Sequence, residues 1–301
     1  MRSAGEPLAP FEYDAEPREQ EVLVEVVGCG VCHTDLGFLD EGVPTRHPLP
    51  LVLGHEISGR VVGAGPGVSA DLIGRSVIVP AVLPCGECAV CAKGRGEICK
   101  AQVFPGNDVH GGFASHVVVP ATGLHVVDLE PGAALAHLSV VADAVSTAYQ
   151  SVVRSGLGPG DFAIFVGAGG VGGFGVQVAR ALGARVLAID VDDERLALIS
   201  AHGAEWTINP REKSVKDVRK LARALAKDAE LPSAEWKIFE TSGTAPGQEL
   251  AFGLLTFGAY LGVVGYHPGD VTVRLSNLMA FDARAEGNWG CAPSRYPEVT
   301  E

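Results

Sequence analysis

Short runs of alternating apolar and polar side chains fill the first half of the chain. One such run covers residues 20–27 and is expected to end in a turn at residues 28–30. Others follow at 57–62, 76–82 and 117–120, with glycine or proline between them. A period of two is typical of β-strands with one buried face, and closely spaced short strands are typical of barrel-like sheets. The pattern therefore predicts a β-rich, barrel-like domain.

From Gly158 onward, short and wholly apolar runs alternate with longer amphipathic ones. The predicted strands are 162–166, 186–189, 206–208, 236–240 and 260–264, and the predicted helices are 171–182, 193–202, 214–227 and 248–255. Strands that alternate with helices form a doubly wound parallel sheet, which binds ligands near the carboxyl ends of its strands. The predicted fold class is α/β, with a β-rich domain over residues 1–145 and a doubly wound domain over residues 146–301.

Composition limits the classes of partner. The chain has 301 residues, of which 47% are hydrophobic, and this is enough to fill two cores. Its formal net charge of −13 argues against nucleic acid or an anionic membrane surface as a partner. No basic start followed by an apolar run is present, and no run reaches the ~18 apolar residues of a membrane span. We therefore expect a cytoplasmic protein without a membrane or nucleic-acid partner.

Four of the seven cysteines lie close together, at Cys85, Cys88, Cys91 and Cys99. Four thiolates close a tetrahedral zinc site with metal–sulfur bonds of about 2.3 Å, and Gly86 allows a tight turn beside them. The alternatives are a redox dithiol, which needs only two cysteines, and an iron–sulfur cluster, which uses other spacings. The spacing favours a structural zinc site, in which no position is left for a substrate.

A second candidate metal site is split between two turns. Cys32 offers a thiolate, His55 an imidazole and Glu56 a carboxylate, and zinc prefers these ligand types. Ligands that meet only after folding are typical of catalytic zinc, and Asp35 is spaced to orient the ring of His55. The alternative is that Cys32 is a small buried side chain and His55 a core histidine with satisfied hydrogen bonds.

One acid, Asp143, stands among small apolar residues in the segment 139–150, which is helical in character. An acid in such surroundings is either a partner for a helix N-terminus or a metal ligand. The residues alone leave both roles open.

A glycine-rich turn joins the first predicted strand of the second domain to the helix after it. Asp190 ends the next strand, eighteen residues after the last glycine of this turn. The turn consists of Gly167, Ala168, Gly169, Gly170, Val171 and Gly172. This strand–turn–helix context predicts a dinucleotide site, in which backbone N–H groups approach the pyrophosphate and Asp190 accepts hydrogen bonds from the adenosine ribose. An acid there repels a 2′-phosphate, which favours NAD over NADP.

Three features follow one another along the chain: the thiolate and imidazole of Cys32 and His55, the four-cysteine segment, and the glycine-rich turn. From Gln20 to Tyr296 the chain resembles the zinc-containing medium-chain alcohol dehydrogenases. The resemblance implies a GroES-like catalytic domain followed by a Rossmann domain, with NAD and two zinc ions per chain, one catalytic and one structural. It assigns the catalytic zinc to Cys32, His55 and Asp143, the last of which stands where many members have a cysteine. By the same resemblance, the structural zinc is held by Cys85, Cys88, Cys91 and Cys99.

The resemblance also implies roles for the surrounding side chains. Thr34 matches the hydroxyl that takes the substrate proton, and Glu56 matches a residue close to the metal. Arg195 matches the basic residue that lines the adenosine ribose beside Asp190. Gly37 stands where several members have a histidine, so the outward proton route differs or uses water.

Four stretches resemble a particular subfamily, the 6-hydroxycyclohex-1-ene-1-carbonyl-CoA dehydrogenases of anaerobic aromatic (benzoyl-CoA) degradation. They are 53–60, 105–116, 235–240 and 273–284. This resemblance implies NAD-linked oxidation of a cyclic secondary alcohol on a coenzyme A thioester to the 6-oxo product, by a homo-oligomer such as a dimer or tetramer. Two alternatives stay open: a zinc alcohol dehydrogenase for another secondary alcohol, and a catalytically silent NAD-binding homologue.

Family members continue past the position of Glu301 and return to complete the β-rich domain. They also begin with a strand that residues 1–10 do not clearly supply. We therefore expect either that the chain is a fragment with an incomplete catalytic domain, or that this domain is completed in a different way.

Overall fold

The computed structural model describes every residue from Met1 to Glu301 and divides the chain into two units. Unit 1 comprises residues 1–146 and 290–301, and unit 2 comprises residues 147–289. None of the helices is both long enough and apolar enough to cross a lipid bilayer.

Unit 1 is built around a five-stranded antiparallel sheet with the order β4-β1-β2-β3-β5. The strands are β1 (Glu21–Gly30), β2 (Glu56–Ala64), β3 (Ser76–Val79), β4 (His116–Pro120) and β5 (His125–Val126). The alternating valines predicted for the first strand do alternate, and Val22 and Val24 are fully buried against Val77 and Val79 of β3. Helix α1 (His33–Leu39) follows β1 directly.

The first strand is longer than predicted. A turn was expected at residues 28–30, but β1 continues through them because Gly28, Cys29 and Gly30 pair with residues 58, 57 and 56 of β2. The absence of a side chain at Gly28 makes this possible, since a Cβ there would lie 2.5 Å from the carbonyl oxygen of Ala136. The two strands therefore end together, at the pair Gly30 and Glu56.

Unit 2 contains a six-stranded parallel sheet with the order β11-β10-β9-β6-β7-β8. The strands are β6 (Phe162–Val166), β7 (Arg185–Ile189), β8 (Trp206–Ile208), β9 (Lys237–Glu240), β10 (Tyr260–Val263) and β11 (Arg284–Gly287). The helices are α2 (Ala144–Arg154), which begins in unit 1, α3 (Gly170–Ala181), α4 (Asp193–Ala201), α5 (Val215–Asp228), α6 (Ala245–Gly253) and α7 (Ser276–Ala280). The chain runs outward from β6 in one direction and then from β9 in the other, so the strand order reverses between β6 and β9.

These two sheets confirm the predicted α/β class, with a β-rich unit and a doubly wound parallel sheet. Two strands were not predicted, the two-residue strand β5 and the edge strand β11. Residues 284–287 are Arg-Ala-Glu-Gly, a polar segment without apolar alternation, and they form the edge strand β11 only through backbone pairing with β10.

The end of the chain differs from the predicted boundaries. Residues 146–301 were assigned to the doubly wound domain, whereas residues 290–301, which include helix α8 (Tyr296–Thr300), belong to unit 1. The physical reason is burial, because Cys291 and Tyr296 form an apolar cluster with Ile78 and Ala142.

Candidate metal and cofactor sites

The shared end of strands β1 and β2 brings two candidate ligands together. Because pairing stops at Gly30 and Glu56, Cys32 and His55 leave the sheet at the same end, on neighbouring strands. Cys32 precedes α1 as its N-cap residue, and His55 immediately precedes β2. Two residues that are distant in sequence thus become neighbours through the strand register.

Asp143 completes a three-residue cluster. It lies between a 3₁₀ helix (Leu135–Ala142) and α2, outside the regular hydrogen bonding of either. Its Oδ2 atom lies 3.5 Å from Nε2 of His55 and 3.7 Å from Sγ of Cys32. The three ligand atoms all lie within 4.8 Å of one another.

The spacing of these atoms fits a tetrahedral zinc ion. With bonds of about 2.0–2.3 Å, two ligand atoms of such an ion stand about 3.3–3.8 Å apart. The ring nitrogens of His55 are buried, and neither makes a hydrogen bond of good geometry, although both face carboxylates. A buried imidazole without a well-formed hydrogen bond, next to a thiol and a carboxylate, is suited to a shared cation.

Asp35 makes hydrogen bonds to the two segments that carry Cys32 and His55. Its Oδ2 accepts a hydrogen bond from the backbone N–H of Cys32 at 3.0 Å, and its Oδ1 accepts one from that of Gly54 at 3.0 Å. Oδ1 also lies 3.4 Å from Nδ1 of His55. A carboxylate behind a ligating histidine fixes the orientation of its ring and leaves the other nitrogen for the metal.

Negative charge dominates this part of unit 1. Burial alone would lower the pKa of His55, but the carboxylates of Asp143 and Asp35 raise it well above its ordinary value. Burial raises the pKa of Glu56 to about 7, and the charge of Asp143 acts in the same direction. Glu56 is almost fully buried opposite Gly30, where a Cβ atom would lie 1.9 Å from its Oε2.

Thr34 stands at the exposed side of the cluster. Its hydroxyl oxygen lies 3.7 Å from Sγ of Cys32, and its side chain is exposed. A molecule that reaches the Cys32 thiol from solvent therefore also meets this hydroxyl.

The four other cysteines form a second cluster in unit 1. Sulfur–sulfur distances are 3.4 Å from Cys88 to Cys91, 3.7 Å from Cys88 to Cys99, 3.5 Å from Cys99 to Cys85 and 4.0 Å from Cys85 to Cys91. A regular tetrahedron with bonds of about 2.3 Å has edges of about 3.8 Å, so these distances fit a four-sulfur zinc site. Gly86, with φ of +81°, and Gly94, with φ of +71°, allow the backbone to turn between the ligands.

The glycine-rich turn of unit 2 has a backbone conformation suited to binding a phosphate group. Gly167 follows β6 with φ of +101°, and a Cβ at Gly172 would lie 2.0 Å from the carbonyl oxygen of Gly167. Nothing lies within 4 Å of where a Cβ would stand at Gly169 or Gly170. Val171 is in the first turn of α3, whose N-terminal N–H groups are available to an anion.

Asp190 lies beside this turn, at the end of β7. Its Oδ2 accepts a hydrogen bond from the N–H of Ala168 at 2.7 Å, and its Oδ1 accepts one from that of Asp192 at 3.0 Å. Arg195 stands in the first turn of α4, more than half exposed, with Nε 3.7 Å from the carboxylate of Asp192. The turn and the acid are thus in contact, while Arg195 is beside them and directed toward Asp192.

Two functional candidates at the end of β9, Glu240 and Thr241, were not predicted from the sequence. The hydroxyl of Thr241 donates to the carbonyl oxygen of Gly167 at 2.8 Å, which ties the turn to the neighbouring strand. Oε1 of Glu240 accepts from the N–H groups of Ser242 and Gly243, while Oε2 is buried without a partner. The usable signal was a polar pair at the carboxyl end of a buried strand, at the edge where the strand order reverses.

Comparison with known proteins matches both halves of the chain. The family model described as alcohol dehydrogenase GroES-like domain matches residues 18–129, and the model described as zinc-binding dehydrogenase matches residues 170–301. An alcohol dehydrogenase of Geobacillus stearothermophilus is 35% identical over 192 residues, which are 64% of this chain and 56% of that protein. The match thus spans little more than half the length of that relative.

Two other similar proteins are matched over more of their length. An L-threonine 3-dehydrogenase of Pyrococcus horikoshii is 30% identical over 272 residues, covering 89% of this chain and 75% of that protein. The cobalt- and zinc-bound structure of a thermostable alcohol dehydrogenase from Pyrobaculum aerophilum superposes with a TM-score of 0.79 at 28% identity, over 94% of this chain and 80% of that one. By these matches, the chain belongs to the zinc-dependent medium-chain alcohol dehydrogenase family.

Proposed function

We propose that this protein is an NAD-dependent zinc alcohol dehydrogenase. The observation that carries the proposal is the meeting of a thiol, an imidazole and a carboxylate, from Cys32, His55 and Asp143, at distances suited to one zinc ion. Three protein ligands leave a fourth position open, which is typical of catalytic zinc. A second zinc, held by four sulfurs, has no open position and serves the structure of the segment around it.

Zinc, when bound, supplies Lewis acidity, which makes the hydroxyl of a nearby alcohol more acidic. NAD supplies the acceptor for the hydride that leaves the carbinol carbon. The residues of the chain then perform the remaining tasks. Thr34 accepts the hydroxyl proton and passes it to solvent, for which its exposed position beside Cys32 is suitable. Asp35 keeps the ring of His55 and the turn of Cys32 in fixed orientations.

We further propose that NAD is preferred to NADP. Asp190 is an acid at the end of β7, in contact with the glycine-rich turn. Its negative charge favours a ribose with free hydroxyls and repels a 2′-phosphate. Arg195, on the adjacent helix, is the nearest basic candidate for the same ribose.

Asp190→Asn tests this preference. Asparagine keeps one oxygen, which can accept from the N–H of Ala168, and it loses the charge together with the hydrogen bond from the N–H of Asp192. The loss of a charged hydrogen bond is worth ~1.5–3 kcal/mol, and we therefore expect kcat/KM with NAD to fall ~10- to 100-fold while that with NADP does not fall. A wild-type protein that already uses NADP better than NAD would contradict the assignment.

We infer that the substrate is a cyclic secondary alcohol, with 6-hydroxycyclohex-1-ene-1-carbonyl-CoA as the specific candidate. The support is the resemblance of four sequence stretches to dehydrogenases of that CoA ester. Two of these stretches, 53–60 and 105–116, pack on each other beside the cluster of Cys32, His55 and Asp143. The N–H of Gly112 donates to the carbonyl oxygen of Gly54, and the N–H of Phe113 donates to that of Leu53. The names of the relatives instead mention alcohols in general and L-threonine.

Initial rates of NADH formation test the substrate. The panel is the CoA ester, cyclohexanol, an acyclic secondary alcohol and L-threonine, each at the same NAD concentration. We expect the CoA ester to give the largest kcat/KM. A larger value for a free alcohol would favour a dehydrogenase for another secondary alcohol. Two zinc ions per chain with no NADH from any compound would favour a silent homologue.

A further inference from the structure

Asp143 is held at a break in helical structure, so its direction is not set by a helix. Its backbone angles are φ −140° and ψ −66°, between a 3₁₀ helix that ends at Ala142 and α2, which begins at Ala144. Helix termini leave backbone groups without intrahelical partners, and other contacts must satisfy them. The contacts at this break therefore decide where the carboxylate of Asp143 points.

Tyr296 makes one of these contacts from the far end of the sequence. Its side chain is 1% exposed, and its hydroxyl donates to the carbonyl oxygen of Ala142 at 2.5 Å. The N–H of Ala81 donates to the same oxygen at 3.1 Å. The peptide group that leads into Asp143 is thus fixed by two donors from two distant parts of unit 1.

Ser146 makes contacts on the C-terminal side of the break. Its hydroxyl, which is fully buried, lies 3.2 Å from the hydroxyl oxygen of Tyr296 and 3.3 Å from the carbonyl oxygen of Asp143. The hydroxyls of Tyr296 and Ser146 therefore connect the carbonyl groups of Ala142 and Asp143. Both peptide groups that carry the acid belong to one buried hydrogen-bond network.

We propose that Tyr296 is a positioning residue for the metal ligand Asp143, which it directs toward Cys32 and His55 through this network. The inference rests on the proposed function, since it concerns the catalytic zinc. The aromatic ring fills the apolar cluster with Ile78 and Cys291, whereas the hydroxyl serves the network. The two contributions can be separated, because phenylalanine retains the ring and lacks the hydroxyl.

Metal retention tests the proposal directly. Zinc-loaded wild-type and Tyr296→Phe proteins are incubated with increasing concentrations of EDTA, and zinc per chain is measured by plasma mass spectrometry. Cys32→Ala, treated in the same way, identifies which release step belongs to the Cys32, His55 and Asp143 cluster. Loss of a group that orients a metal ligand typically costs ~10- to 100-fold in metal affinity. We expect Tyr296→Phe to lose this zinc at ~10-fold lower EDTA and to keep the four-sulfur zinc unchanged.

Two further variants separate positioning from general stability. Ser146→Ala breaks the same network from the other side and is expected to reproduce the selective loss. Val119→Ala creates a cavity in a different apolar cluster of unit 1 from that of Tyr296, and is expected to lower thermal stability without changing zinc retention. Cobalt(II)-substituted Tyr296→Phe should also show an altered ligand-field spectrum at the catalytic cluster.

The outcomes are distinct. If Tyr296→Phe and wild type release the catalytic zinc at the same EDTA concentration, or if both zinc ions of Tyr296→Phe are released together, the proposal is overturned. If wild-type protein binds zinc only at the four cysteines, the proposed function fails instead, before any question about Tyr296 arises.

Discussion

The two candidate metal-binding clusters of unit 1 are assembled in opposite ways. The four-cysteine cluster takes every ligand from residues 85–99, and local glycine turns bring the sulfurs together. The other cluster takes Cys32, His55 and Asp143 from three separate segments, which meet only when the sheet has formed. Both clusters have distances suited to zinc, but four sulfurs would fill every position of one ion, whereas three ligands would leave the fourth position of the other open.

Each cluster has one buried candidate ligand, and the clusters differ in what supports that ligand. His55 and its supporting acid Asp35 are almost wholly buried, and the supporting hydrogen bonds reach both turns of the site. In the four-cysteine cluster only Cys99 is buried, and the other three sulfur-bearing residues are partly exposed. Chemistry at the first site therefore depends on the whole fold, whereas the second site depends mainly on its own segment.

The largest effect is expected for Cys32→Ala. It removes one of three ligands, and the zinc contributes several kcal/mol to the reaction, so turnover should fall by ~1,000-fold or more. NAD binding, measured by fluorescence titration, should be unchanged because the cofactor residues lie in unit 2. Val119→Ala is the control for a general loss of stability, since it truncates a buried side chain in the sheet core of unit 1. Full turnover by Cys32→Ala would contradict the catalytic assignment.

A smaller effect is expected for Thr34→Val, which keeps the shape of the side chain and removes its hydroxyl. Proton transfer by a positioned group contributes ~100-fold or more, so kcat should fall by about that factor with zinc content unchanged. Thr34→Ser retains the hydroxyl and should stay close to wild type. Equal rates for the valine and serine variants would show that the proton leaves by another route.

The smallest effect on turnover is expected for Cys88→Ala, which opens the four-sulfur site. Zinc content should fall by one ion per chain, and limited proteolysis should cut within residues 85–99, because metal binding there contributes to local folding. Turnover of the uncut protein should change least among the three variants. A loss as large as that of Cys32→Ala, in protein that is still folded, would mean that the two clusters are not functionally separate.

The two clusters also differ in how far the sequence predicts them. The spacing of Cys85, Cys88, Cys91 and Cys99 is visible as a local motif, and strands 162–166 and 206–208 match their apolar runs residue for residue. The pairing of Cys32 with His55 requires the register of β1 and β2, including the segment 28–30 that was expected to turn.

Other features had no local signal. Asp143 appeared as an acid with two possible roles, and only the resemblance to a family selected one of them. The hydroxyl of Tyr296 reaches the carbonyl of Ala142 across 154 positions, and the polar strand β11 forms only by pairing with β10. Contacts of this kind follow from tertiary packing, which short-range periodicity does not contain.

Anomalous diffraction at the zinc edge, from crystals of zinc-loaded protein, tests the central claim most directly. If the claim holds, two peaks per chain appear, one about 2.3 Å from each of the four sulfurs and one bonded to Sγ of Cys32, Nε2 of His55 and a carboxylate oxygen of Asp143. A single peak at the four cysteines, with none between Cys32, His55 and Asp143, would contradict it.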